Sequence, residues 1–436
     1  MSNGDRRFDI DWLRIIALGL LIIYHISVVF QPWAYFIYFV QSEKSVESIW
    51  LAMSLINIWR IPLLFIISGM GVCFAIRRRN WKELLKDRTR RILLPLIFGS
   101  LFIVPVHGYI YQTFMGLEHI YFPNLGHLWF LSNILIYVLV LCPVFFYLKR
   151  NPDSILLRIF KRILKFPAAL YLITLPFIFE ATLVAPEQGF ETYANTYHGF
   201  WLGLLAFITG FFFISIGDTF WQAVGKIKGF ALAVAISLFL VRTIFFQIKG
   251  PIYLIVIESW SWLFAVFGFG ASYLNHPSKK LTYLSKAVYP CYILHMIFLY
   301  LASDLVLTRP YHVDQVHTII SIEQNSPAAE AGILPGDQLI TKFDDWKPGI
   351  PLEINVNRKE DSMKISVTPD NKGKIGADFI PIPFFIPRYI ETEITTSFAL
   401  LQFILINIMT FGGCFIGYEV FRRIKLIRLF LGIKMD

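Results

Sequence analysis

Apolar runs long enough to cross a membrane recur along the chain, separated by short polar stretches. A hydrocarbon core about 30 Å thick is crossed by about 20 consecutive, mostly apolar helical residues. Ten such runs fall at roughly 11–30, 49–76, 92–114, 127–148, 166–184, 199–216, 229–248, 251–274, 284–307 and 395–420. The pattern predicts an all-α polytopic membrane protein. Residues 308–393 break it. There "TIISIEQ" and "QLITKFD" read as strands, and "PLEINVN" and "MKISVTP" alternate apolar and polar positions on either side of "RKED", the pattern of a hairpin. A small β-rich module is therefore expected between the ninth and tenth spans, so that residues 1–307 and 394–436 form the membrane part.

Within this insert, "NSPAAEAGILPGDQLI" (325–340) resembles the core of bacterial PDZ domains: strand, short helix, then a Gly-x-x-Pro-Gly-Asp turn into the next strand. "GKIGADFIP" would close such a domain. A PDZ domain also carries a longer second helix that walls its peptide groove. "DDWKPGI" (344–350) leaves no room for one. The insert is thus expected to be a trimmed PDZ-like module, serving as a spacer or lid or binding a protein partner.

Charge orients the spans. The 436 residues hold 40 Lys/Arg and 30 Asp/Glu, a net charge of +10. With 56% hydrophobic and 16% charged residues, the chain is too apolar for a soluble enzyme of this length. The basic excess sits in clusters between apolar runs, which points to a membrane and away from nucleic acid. "RRRNWKELLKDRTRR" (77–91) carries eight basic residues, "KRNPDSILLRIFKRILK" (149–165) six, and the tail from Phe421 five. The alternate loops 31–48, 115–126 and 185–198 hold only Lys44 between them. The positive-inside rule then makes both termini cytoplasmic and puts the insert on the opposite side. The insert has the opposite charge balance, nine Lys/Arg to thirteen Asp/Glu. Nothing before Asp9 resembles a cleavable signal peptide, so the first run is expected to stay as an anchor. Cys73, Cys142, Cys291 and Cys414 lie in apolar runs without CxxC spacing, which suggests packed thiols rather than a metal site or disulfide framework.

An ionisable group inside a span costs roughly 2.5–3.5 kcal/mol on insertion scales and needs a partner or a task. In "DIDWLRIIALGLLIIYH" (9–25), Arg14 and His25 are eleven residues apart. That is about 20° past three turns, so they share a helix face about 16 Å apart. Asp11 lies one turn below Arg14 on nearly the same side. Arg60 in the second span and His295 in "YPCYILH" fall near mid-membrane, and His107 lies near the outer end of the third span. Arg242 and Glu258 flank the turn between the seventh and eighth spans at similar depth, and a buried ion pair is their simplest reading.

Two chemistries use such residues. A proton-coupled transporter or flippase would use intramembrane His, Arg and Glu as a relay, although no internal repeat of the transporter kind is visible. An acyltransferase would use His as general base towards an acceptor hydroxyl, with cations holding a phosphate-bearing donor. The cluster 77–91 is on the same side as Arg14. A membrane protease is excluded on its motifs: HExxH does not occur, and "FIISGMG" has Ile66 where a GxSG serine motif needs Gly.

"RRFDIDWLRIIALGLLIIYH", "WRIPLLFIISGMG", "RTRRILLPLIFG", "GHLWFLSNILIY" and "YPCYILHM" follow one another in an order that resembles the membrane acyltransferase-3 family. The tail "YEVFRRIKLIRLFLGIK" is similar to the branch that acylates bacterial periplasmic glucans. The resemblance covers about 350 of the 436 residues, all but the insert. It implies ten spans in a bacterial inner membrane, both termini cytoplasmic and the insert periplasmic. It also implies O-acyl transfer to an extracytoplasmic glycan, with acyl-CoA (acetyl-CoA or succinyl-CoA) as donor and no metal. Carried over residue by residue, His25 is catalytic and Arg14 stands at the inner end of its helix. Ser68 and Gly69 follow the aromatic run of the second span, Arg90 and Arg91 lie near the donor's phosphates, and Trp129 belongs to the fourth span. With the polar stripe added, Asp11, Arg14 and His25 are the expected catalytic group. Arg14, Arg88, Arg90, Arg91, Ser68 and Gly69 are expected at the donor, and Arg60, Trp129, His295 and Glu258 on the substrate side. The insert is expected to position or select the acceptor.

A single reactive cysteine placed at Asn371 should be labelled by a membrane-impermeant thiol reagent in intact cells. One placed at Lys82 should react only after permeabilisation. The reverse pattern would invert the topology.

Overall fold

The computed structural model describes residues 6–184, 189–309, 311–312, 316–340, 346–358, 361–382, 385–386 and 394–433. Among them, ten helices are long and apolar enough to cross a membrane: Phe8–Val29, Ser48–Arg77, Trp81–Met115, Gly126–Arg150, Pro167–Val184, Tyr197–Ser215, Asp218–Phe246, Ile252–Tyr273, Lys279–Val306 and Thr396–Phe421, numbered here spans 1 to 10. The polytopic all-α architecture is the one the apolar runs predict.

Two spans extend past their apolar runs. Span 3 begins at Trp81, so most of the basic stretch 77–91 is helix rather than loop. Asn80 starts it with a capping box: its Oδ1 accepts from the Glu83 N–H at 3.0 Å, and the Glu83 carboxylate accepts from the Asn80 N–H at 3.0 Å. Lys and Arg are good helix formers, so the helix continues outside the apolar zone that hydropathy detects. Span 7 likewise begins at Asp218, after Gly217 turns the chain with φ +67°. Span 3 widens twice to π-helical geometry, at Thr89–Leu93 and Gly99–Ile103.

Helices pack closely where side chains are absent. A Cβ on Gly69 would stand 1.9 Å from the Phe207 carbonyl oxygen, and one on Gly210 would stand 1.9 Å from that of Ile66. Spans 2 and 6 therefore touch backbone to backbone, as small residues allow in membranes. Spans 9 and 10 are held in the same way, with Gly413 and Gly417 receiving the ring of Phe298. Spans 2, 8 and 9 are the most enclosed, whereas spans 5, 7 and 10 keep most of their apolar surface outward. All four cysteines are buried and free.

The chain divides into two compact units. The second comprises Gln112–His119 and Thr308–Glu393. In it β1 (Tyr311–His312) pairs with β7 (Phe385–Ile386). The strands β2 (Val316–Ile322), β3 (Gln338–Ile340), β4 (Leu352–Arg358), β5 (Asp361–Val367) and β6 (Ala377–Ile382) form one antiparallel sheet in the order β5-β4-β3-β2-β6. The expected hairpin is β4–β5. The expected strand 338–344 is seen over Gln338–Ile340, while Thr341–Asp345 and the hairpin residues Lys359 and Glu360 lie outside the described residues. The inward face carries Ile319, Leu339, Ile354, Val356, Val367 and Ile375, with Ala328 of the short helix Pro327–Glu330 and Ile333 closing the core.

The Gly-x-x-Pro-Gly-Asp turn is closed by an ion pair. Asp337 accepts from Arg358 Nε at 2.8 Å and Nη2 at 2.7 Å and from the Leu334 N–H at 2.9 Å. Arg358 Nη2 also donates to the Gly332 carbonyl at 2.7 Å. Burial pushes the Asp337 carboxyl up, but the Arg358 and Leu334 hydrogen bonds and the guanidinium charge outweigh it and hold the group below the usual carboxylate range. The folded value therefore lies under the unfolded value of about 3.9. The stabilisation is complete above about pH 4 and is lost as pH falls through the folded value. Resistance of residues 316–382 to pepsin in the full-length protein should drop as pH falls below about 4, and the drop should be weaker in Asp337→Asn. Unchanged resistance down to pH 2 would show that the pair does not hold the turn.

A histidine cluster among the spans and a basic cluster at the start of span 1

Span 1 brings His25 against span 9. His25 Nδ1 lies 3.0 Å from His295 Nε2, and the rings stack with centroids 5.1 Å apart at 8°. His295 Nδ1 lies 2.7 Å from the Tyr292 carbonyl oxygen, one turn back on its own helix. His295 has no exposed surface, whereas His25 retains some. His127, in the turn that opens span 4, sets its ring edge-on to His295 at 5.0 Å, and its Nε2 donates to the Ile293 carbonyl at 3.1 Å. The Tyr292 hydroxyl donates back to the His127 carbonyl at 2.5 Å. His107 follows, 5.6 Å from His127 and 5.3 Å from Tyr300 between ring centroids. Four histidines from spans 1, 3, 4 and 9 thus meet in one chain of contacts. Arg60 stands beside it, its guanidinium 3.7 Å over the ring of Tyr24 and its Nη2 donating to Asn57 at 3.1 Å.

The N-terminal end of span 1 is cationic. Arg14 Nη1 lies 3.8 Å from Asp11 and Nη2 faces Gly71, 3.8 Å from where its Cβ would be. Arg88 lies in the field of Arg14, Arg79, Arg91 and Asp87. Asp87 pairs with Arg91 at 3.0 Å and with Arg79 at 3.4 Å. Arg90 is exposed. Arg14 of this cluster and His25 of the histidines lie towards opposite ends of one face of span 1.

A model of the acyltransferase-3 family, described as an acyltransferase domain, matches residues 7–322. The chain belongs to the acyltransferase-3 family. It is a multi-pass membrane acyltransferase. No curated protein and no solved structure matches it. The family match runs from the polar start of span 1 to the end of β2.

Several expected site residues of this acyltransferase take other places. Asp11 is held by Arg6 at 2.8 Å and 3.1 Å, and fourteen helical residues put it about 21 Å from His25. It ties the N-terminal end of span 1 to Arg6 and stands outside the surroundings of His25. Gly69 is the contact point of spans 2 and 6, and Ser68 Oγ turns back to the Leu64 carbonyl at 2.8 Å. Trp129 packs on Phe65 and Phe130 with centroids 6.1 and 6.3 Å away. Its neighbour two residues earlier, His127, is the one that reaches the histidines. The string "GHLWF" contained both, but the 3₁₀ turn Gly126–Leu128 sets a phase that an α-helical count does not give.

Glu258 makes a buried ion pair with Arg242, with Nε to Oε2 at 2.7 Å and Nη2 to Oε1 at 3.0 Å. The same guanidinium donates to the carbonyls of Ser54 and Ile248 at 2.9 Å each. The pair joins spans 2, 7 and 8. Removing one partner strands a buried charge, so Glu258→Ala should cost about 3–5 kcal/mol and sharply reduce folded protein in the membrane. The double change Arg242→Met with Glu258→Leu should restore much of it. Normal yield and thermal stability of Glu258→Ala would refute this structural role.

Proposed function

We propose that this acyltransferase moves an acyl group from a cytoplasmic acyl-CoA to a hydroxyl of an extracytoplasmic glycan, across a bacterial inner membrane, with His25 as general base. The observation that carries this reading is the placement of Arg14 and His25 about 16 Å apart on one face of span 1. Phosphates held by Arg14, Arg88 and Arg91 suit the cationic inner cluster, because guanidinium pairs with phosphate through charge-assisted, bidentate bonds. The donor's thioester-bearing arm would then run up the helix to His25. The acceptor hydroxyl arrives from the other side. Its proton passes to His25, its oxygen bonds the thioester carbon, the C–S bond breaks, and the proton goes on to the departing sulfur. The acidic, independently cored insert is the module we assign to acceptor selection.

General bases typically contribute about 10²- to 10⁴-fold in rate. His25→Ala should therefore insert and bind donor but lose acyl transfer by at least that lower bound, measured with purified protein in liposomes. Arg14→Ala should raise the donor KM more than the acceptor KM. Replacing 315–382 with a Gly-Ser linker should lower glycan acylation while donor binding persists. Near-normal transfer by His25→Ala, or proton-linked flux in liposomes free of acyl donor, would displace this reading in favour of transport.

A further inference from the structure

We infer that His295 is a positioning residue that fixes the tautomer of His25 and so presents His25 Nε2, unprotonated, to the acceptor hydroxyl. The inference rests on the reading of His25 as base. A backbone carbonyl only accepts, so the 2.7 Å contact with Tyr292 requires a hydrogen on His295 Nδ1. A neutral imidazole has one N–H, which leaves a lone pair on His295 Nε2. The 3.0 Å contact with His25 then takes its hydrogen from His25 Nδ1. A neutral His25 with its hydrogen on Nδ1 has its lone pair on Nε2. Protonating both rings would set N–H against N–H. Turning either ring over would put carbon where nitrogen now bonds.

The surroundings hold this arrangement. His295 is fully enclosed, His127 packs edge-on against it, and three residues along the helix Phe298 is clasped by Gly413 and Gly417 of span 10. The exposed surface belongs to His25. During transfer the hydroxyl proton goes to Nε2 and leaves on the thiol sulfur, while the Nδ1 hydrogen stays in place. Its bond to His295 strengthens while the His25 ring is positive, because charge-assisted hydrogen bonds are the stronger ones. His295 keeps its protonation state throughout. Orientation and tautomer control of a catalytic histidine through the nitrogen it does not use is a general device.

The test compares His295→Leu, His295→Gln and His25→Ala in the full-length enzyme, with kcat and donor KM measured in liposomes. The leucine variant removes the acceptor. Its kcat should fall about 10²- to 10³-fold with donor KM within about twofold of wild type. The glutamine amide can accept from His25 Nδ1 and donate to the Tyr292 carbonyl, and should retain at least about a tenth of wild-type kcat. If the leucine variant does not assemble, His295→Asn replaces it, since its shorter amide does not reach His25. Wild-type turnover by the leucine variant, with His25→Ala inactive, would overturn the positioning role. Equal loss in the leucine and glutamine variants, with donor binding intact, would overturn it too, because more than an acceptor would then be needed. Activity in His25→Ala would instead defeat the underlying assignment of the base.

Discussion

Hydrocarbon offers no hydrogen bonds, so the ionisable side chains inside this membrane core depend on partners within the protein. That constraint organises the helices. Arg242 joins spans 2, 7 and 8 through four hydrogen bonds, two to Glu258 and one each to the carbonyls of Ser54 and Ile248. His198 of span 6 lies 3.0 Å from Glu180 of span 5 and 2.9 Å from the Phe190 carbonyl. His295 sits between a carbonyl on its own helix and His25 on span 1. Each cluster ties together helices that apolar packing alone would leave free to slide, since lipid tails are as apolar as leucine. Polar contacts thus fix span 1 to span 9, span 5 to span 6, and span 2 to spans 7 and 8, while glycine contacts hold span 2 to span 6 and span 9 to span 10.

The same constraint explains what could be read along the chain and what could not. Spans and the β4–β5 hairpin follow from local periodicity, and a local signal is visible in one dimension. The Arg242–Glu258 pair was also legible, because a short turn fixes the relative depth of two neighbouring helices. The histidine cluster was not. His25 and His295 are 270 residues apart, and nothing in either helix announces the other. His127 was hidden behind Trp129 by a 3₁₀ turn. Ser68-Gly69 drew attention as a motif, yet a glycine against a neighbouring backbone and one beside a bound donor look identical in sequence. Asp11 shared the stripe of Arg14, but its two hydrogen bonds from Arg6, which precedes the helix, lie outside what helical periodicity can give.

Span 1 carries both regions. Its N-terminal end is cationic and crossed by ion pairs among Arg6, Asp11 and Arg14. Further along the helix, past Leu18 and Leu21, the same face brings His25 against His295. Span 3 serves both regions. Its first π-helical stretch carries Arg90 and Arg91, and its second includes Gly99, where a Cβ would stand 2.3 Å from a methyl of Leu128, next to His127. Such bulges rotate the residues that follow and recur at functional sites. One helix therefore offers guanidinium groups near Arg14 and a close-packed face near the histidines.

A chain of buried histidines suggests proton conduction, and its terminus argues against it here. A conducting chain passes a hydrogen on at every step. A proton arriving at His25 Nε2 would push the Nδ1 hydrogen to His295 Nε2, and His295 would have to release its own hydrogen from Nδ1. That hydrogen faces the Tyr292 carbonyl, which has no titratable place for it. His127 does not extend the route through Nε2, whose hydrogen is turned to the carbonyl of Ile293. Nor does Glu258, whose two oxygens are both held by Arg242. With the tautomers inferred above, a proton taken up by His25 would leave through the nitrogen by which it entered. That is the property of a base that takes a proton from one reactant and returns it to another, and it favours transfer chemistry over a relay.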